Sequence, residues 1–154
     1  MQLSDLIARE SVVCDLKSNS KKQFLQDASA HAAEALDIPA RLIFDTLTAR
    51  ERDGSTGIGN GIALPHGRIA GLGAISAFFF RLARPIEFDS MDDQPADLMF
   101  LLLTPDTSGP DHLKALARLA RVMREPHMLQ HLREAEDADA LHALLTRERQ
   151  PKAA

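Results

Sequence analysis

Two apolar runs in the second half of this chain leave few options for its fold. Phe78-Phe79-Phe80 lies within Ile75 to Leu82, and Met99-Phe100-Leu101-Leu102-Leu103 lies within Asp97 to Leu103. Both runs have strand length, and neither alternates apolar with polar residues. A strand with one wet face alternates, whereas a strand apolar at every position must be covered on both faces. The sheet therefore needs helices above and below it.

The flanking sequence supplies them. Ser18 to Ser20 read as a turn and cap before Phe24, Leu25, Ala28, Ala32, Ala35 and Leu36, a spacing that predicts a helix from about Lys21 to Leu36. Asp37-Ile38-Pro39 interrupts it, because proline disfavours helical geometry in the residue before it and suits a helix start. A second helix is predicted from about Ala40 to Arg52, with Ile43, Phe44 and Leu47 inward and Gly54 placed to end it. Pro85-Ile86-Glu87-Phe88 reads as a short edge strand. Pro110 opens a helix to about Arg124 with Leu113, Leu116, Ala120 and Met123 as its apolar stripe. Pro126 opens another to about Arg133, a last helix runs from about Ala138 to Thr146, and Arg147 to Ala154 are expected to fray. The expected architecture is one α/β domain over residues 1–154, a mixed parallel and antiparallel sheet with helices on both faces.

Charge and residue usage exclude several function classes. The net charge is −4 and the 18 Lys and Arg are dispersed, so the basic stripe of a nucleic-acid binder is missing. The chain has no Trp or Tyr, which argues against a stacking platform for single strands. Cys14 is the sole cysteine, so no intramolecular disulfide can form and a reducing compartment is expected. No apolar run has the length of a membrane span, and Met1 to Arg9, with Asp5 inside it, is unlike a signal peptide. A cytoplasmic protein is the expectation.

Core packing does not explain the segment GSTGIGNGIALPHG, Gly54 to Gly67. Gly54, Gly57, Gly59 and Gly61 fall close together, a density suited to sharp turns or to backbone N–H groups that approach an anion. Gly57, Gly59, Asn60 and Gly61 are the candidate phosphate loop. His66, between Pro65 and Gly67 at the expected end of a short strand, is the candidate nucleophile. Two familiar phosphate loops are excluded. A dinucleotide fingerprint would need glycine where Ile62 stands, and no Gly-Lys-Ser/Thr sequence exists for a nucleotide P-loop.

The stretch RERDGSTGIGNGIALPHGR, Arg50 to Arg68, resembles the active-site region of the phosphotransferase-system enzyme IIA family of the mannitol and fructose type, most closely its nitrogen-regulatory branch. The likeness extends to the leading helices, to IEFDSMDDQPADL from Ile86 to Leu98, and to His112 at a helix start. It implies a mannitol-type enzyme IIA fold in which His66 accepts a phosphoryl group from a histidine-containing carrier protein. His112 would be the second active-site histidine and Arg50 the phosphoryl-binding arginine, with Arg52 near enough to stand in its place. The residues suit those roles. Neutral imidazole is nucleophilic near neutral pH, arginine offers forked donors to phosphate oxygens, and a helix N-terminus favours anions and opposes imidazolium at His112. No cofactor and no metal is expected.

Other candidates read as structural. His127 and His131 have i, i+4 spacing, but Met128, Leu129 and Leu132 define the buried face and leave both histidines towards solvent. His31 reads as packing, and His142 lacks acidic or cysteine neighbours. The implied function is a phosphocarrier of the nitrogen-related system that regulates targets, unidentified from sequence, by its phosphorylation state. A sugar-transport IIA domain that passes phosphate to a IIB domain is one alternative, and a binding module that never carries phosphate is another.

Overall fold

In the computed structural model residues 2–147 are described, and most of the tail expected to fray lies outside them. The chain forms α1 (Leu3–Leu6), a 3-10 turn (Arg9–Ser11), β1 (Val12–Leu16), α2 (Lys21–Leu36) and α3 (Ala40–Arg52). Next come β2 (Gly57–Gly59), β3 (Ile62–Ala63), β4 (His66–Ile69), β5 (Ser76–Ile86) and β6 (Ala96–Pro105), then α4 (Pro110–Met123), α5 (Pro126–Glu134) and α6 (Ala138–Thr146).

β6 is the hub of a six-stranded sheet. On one edge it pairs antiparallel with β5, which pairs parallel with β1. On the other edge β3 and β4 lie in line, both parallel to β6, and β2 pairs antiparallel with β3. Between β3 and β4, the Pro65 carbonyl accepts the Leu102 N–H at 3.0 Å, which keeps the connection on the β6 edge.

The unbroken apolar runs divide between two cores as the strand period requires. Phe79, Leu98, Phe100 and Leu102 pack with α1, α4, α5 and α6; Phe78, Phe80, Met99, Leu101 and Leu103 pack with α2 and α3. Helices cover both faces, as the fully apolar strands demand. Helix ends follow local chemistry: Ser20 Oγ accepts the Gln23 N–H at 3.1 Å, Asp137 Oδ1 accepts the Ala140 N–H at 2.9 Å, and Pro110 and Pro126 open α4 and α5.

Three expectations need correction. Pro85 and Ile86 form the end of β5, after a register shift beyond Arg81, and not a separate edge strand. His66 begins its strand rather than ending one. The stripe of α4 is also rotated: His112, Ala115, Leu119 and Met123 are buried, whereas Leu113 is 66% exposed. The helix has turned a histidine inward at the expense of a leucine.

Gly67 sets the distance between α3 and β4. A Cβ at this position would lie 2.7 Å from Thr46 Cγ2, so only glycine lets the helix approach this closely. That approach carries the end of α3 to the start of β4.

Candidate functional site

Three elements converge at the first residue of β4. Gly67 and Ile69 face α3, so strand alternation turns His66 and Arg68 towards α4. His112, the third residue of α4, comes from that side, with its ring centroid 5.6 Å from that of His66. Arg50, in the last turn of α3, reaches His66 from the other side. The structure brings His66, His112 and Arg50 together. Arg52 instead lines a hollow with Lys21, Lys22, Phe44 and Thr48, so Arg50 is the arginine at the histidine.

Hydrogen bonding fixes the state of the half-buried His66 ring. Nδ1 lies 2.8 Å from the Leu64 carbonyl, which can only accept, so Nδ1 carries the hydrogen. Nε2 is then the bare nitrogen, and Arg50 Nε–H donates to it at 3.3 Å. Burial lowers the His66 pKa below the ordinary imidazole value; the Arg50 charge adds to this, while the Leu64 carbonyl and Glu51 oppose it. The neutral, nucleophilic form therefore persists to lower pH than in free histidine. For His112, burial, then the Arg68 charge, then His66 push the same way.

Glu51, the neighbour of Arg50, secures the other side of the ring through the backbone. Its carboxylate accepts the Thr56 N–H at 3.1 Å and the Thr56 hydroxyl at 2.5 Å, and pairs with Lys21 Nζ at 3.0 Å. The Thr56 carbonyl accepts the Leu64 N–H at 3.0 Å, and the Leu64 carbonyl holds His66. Two adjacent residues of α3 thus grip the imidazole from opposite ends, one at Nε2 directly and one at Nδ1 through Thr56 and Leu64. Arg68 ties β4 to the start of α4, with Nη1 donating to Ser108 Oγ at 3.0 Å and Nη2 to the Gly109 carbonyl at 3.5 Å. Thr104 Oγ1, at the end of β6, lies 2.5 Å from His112 Nδ1.

The glycine-rich segment, the expected phosphate loop, folds as a hairpin. Gly57, Gly59, Asn60 and Gly61 build the β2–β3 hairpin. Asn60 and Gly61 are its two-residue turn, at φ 57° and 80°, the positive pair that an Asn-Gly hairpin turn requires. The Asn60 N–H donates to Asp92 Oδ2 and the Gly57 N–H to Ser55 Oγ, both at 3.0 Å, so these two donors already have protein acceptors. Arg133, paired with Asp97, donates to the Asn60 carbonyl at 2.8 Å and fastens the hairpin tip to α5. A cleft of about 990 Å³ between this hairpin and α4–α5 is lined by Ile58, Leu64, Met123 and Leu129, and His66 is not among its lining residues.

Glu51, Thr56, Arg68 and Thr104 were not singled out from sequence. Thr104 had one signal, as the lone hydroxyl closing an otherwise apolar strand run. The contacts of the others depend on pairings that no local pattern encodes.

Residues 5–148 match the family described as phosphoenolpyruvate-dependent sugar phosphotransferase system, EIIA 2. A nitrogen regulatory protein of Bradyrhizobium diazoefficiens is 48% identical over 145 residues, which is 94% of this chain and 95% of the relative. The crystal structure of nitrogen regulatory protein IIA-Ntr from Neisseria meningitidis superposes with a TM-score of 0.88 at 32% identity, covering 94% of this chain and 99% of that one. Mannitol IIA from Escherichia coli shares the fold, with a TM-score of 0.76 at 17% identity over 90% of this chain and 97% of that one.

Proposed function

The chain belongs to the phosphoenolpyruvate-dependent sugar phosphotransferase system EIIA 2 family, and on that premise we propose that it is a nitrogen-branch phosphocarrier whose His66 Nε2 receives a phosphoryl group from a phosphorylated histidine-containing carrier protein. The supporting observation is the ring itself: Nδ1–H is held by a carbonyl and the Nε2 lone pair faces a guanidinium.

The step follows from that arrangement. Nε2 attacks the phosphorus in line, the Nε2–P bond forms, and the donor's N–P bond breaks with its electron pair returning to the donor ring. No proton need leave His66. Its ring gains positive character, which the Leu64 carbonyl stabilises at Nδ1–H. Arg50 keeps its proton and swings its Nε–H hydrogen bond from His66 Nε2 to a phosphoryl oxygen as the bond forms. Phosphoryl transfer leaves the protein mainly positioning and charge stabilisation to supply, and these residues supply both.

The output follows from charge. A phosphoryl group adds close to two negative charges at a surface site, enough to repel one partner and attract another. Among the described residues no helix is long and apolar enough to cross a membrane.

The position of attachment tests the chemistry. Phosphorus NMR of the phosphorylated protein is expected to show a phosphohistidine bonded at Nε2, collapsing on mild acid treatment. Attachment at Nδ1 would contradict the tautomer read from the Leu64 contact.

A further inference from the structure

Thr104 is fully buried near the end of β6, and its hydroxyl has His112 Nδ1 as its only partner among the described residues, at 2.5 Å. Counting hydrogens decides the direction of that bond. A threonine hydroxyl carries one hydrogen that needs an acceptor, while its oxygen can also accept. If His112 Nδ1–H were the donor, the hydroxyl hydrogen would be buried with no acceptor, an arrangement native interiors avoid. If Thr104 donates, Nδ1 is the bare nitrogen and both groups are satisfied. A neutral His112 then carries its hydrogen on Nε2.

We propose that Thr104 is a positioning residue for phosphoryl transfer, its hydroxyl fixing His112 as a neutral Nε2–H donor to the phosphoryl group carried by His66. This rests on the relay proposed above. The two histidines then hold opposite tautomers. His66 has its hydrogen on Nδ1 and a nucleophilic Nε2; His112 has its hydrogen on Nε2 and a bare Nδ1 turned to β6. With the rings 5.6 Å apart, one nitrogen attacks phosphorus while the other donates to an oxygen of the same group. The proton stays on His112 throughout, so the balance of the transfer is unchanged.

A charged His112 would break this arrangement, since both its nitrogens would be donors and one would face the Thr104 hydroxyl. The groups around the ring oppose that charge as well. Arg68 approaches from β4, His66 from the strand start, and the α4 N-terminus carries positive dipole charge.

The tautomer of His112 in the unphosphorylated wild type is the first readout, taken from two-bond proton–nitrogen correlations of the ring. Nε2–H is expected, and Nδ1–H would overturn the proposal whatever the phosphorylation assay shows. Thr104→Val keeps the branched shape and removes the hydroxyl. It is expected to mix the His112 tautomers and to slow transfer from the phosphorylated carrier by about tenfold to a hundredfold. Thr104→Ser should restore both. A mixed tautomer with an unchanged transfer rate would overturn the positioning role and leave the His66 relay standing. If Thr104→Val does not fold, the serine variant decides: it must keep the Nε2–H tautomer and a rate near wild type, and loss of either overturns the proposal. Wild-type protein that accepts no phosphoryl group would overturn the relay and with it the purpose assigned to Thr104. That failure is distinguishable, because the tautomer is read without the carrier.

Discussion

Arg50→Met slows phosphoryl acceptance by His66 about a hundredfold to a thousandfold and leaves stability within about 1 kcal/mol of wild type. The guanidinium donates to His66 Nε2 at 3.3 Å and to the Gly54 carbonyl at 2.8 Å, so one fork is already directed at the reacting nitrogen. When Nε2 bonds to phosphorus, that N–H has the nearest phosphoryl oxygen to turn to. Charge builds on those oxygens in the transition state, and an oriented donor is worth most there. Arg50→Lys recovers only part of the rate, because an ammonium keeps the charge and loses the planar fork. Arg52→Met is the control, and its rate stays near wild type. Rapid-quench transfer from the phosphorylated carrier measures all three. Equal rates for Arg50→Met and Arg52→Met would remove Arg50 from the site.

Glu51→Ala loses about 2–4 kcal/mol of stability in urea unfolding and slows transfer as well. The Glu51 side chain is 6% exposed and accepts two donors from Thr56 while pairing with Lys21. Truncation strands the Thr56 N–H and hydroxyl inside the protein. Lys21 loses less, since Asp89 stands 3.6 Å from its Nζ and the lysine is itself partly exposed. The effect on rate has a separate cause. Thr56 holds Leu64, and Leu64 holds Nδ1–H of His66, so a loosened Thr56 releases the ring from its tautomer. Lys21→Ala, which spares the carboxylate contacts to Thr56, should cost less stability than Glu51→Ala and leave the transfer rate close to wild type. A Glu51→Ala protein as active as wild type at a temperature where both are folded would break the link between Thr56 and His66.

Much of the fold was legible because its signals are local. Residues 21–36, 40–52 and 138–146 are helices bounded by a serine cap, a proline and an aspartate cap, each acting within a few residues. The two central strands announced themselves by lacking a polar face. β1 was missed for the opposite reason. Val12–Leu16 is short and only partly buried, and Asp15 adopts φ 57° within it; its identity as a strand depends on pairing with Phe79 and Phe80, far along the chain. β4 is as obscure locally, since a glycine in a four-residue strand offers no β signal without β6 beside it.

The site shows the same division. His66, His112 and Arg50 were found as residue types in a motif, and the structure brings them together. The glycines illustrate the ambiguity of composition. Closely spaced glycines suit an anion cradle and a tight hairpin equally, and the Asn60-Gly61 pair carried the hairpin signal. Thr104, Glu51 and Arg68 act through contacts across the sheet or between helix and loop. Their roles depend on register and on the close approach at Gly67, neither of which a linear pattern records.

The most direct test is intact-mass spectrometry after incubation with a phosphoenolpyruvate-driven carrier system, comparing wild type with His66→Ala. The account predicts one added phosphoryl group on wild type, removed by acid, and none on a His66→Ala protein that retains its fold. Phosphorylation of the folded His66→Ala protein, or none on wild type exposed to an active carrier, would contradict it.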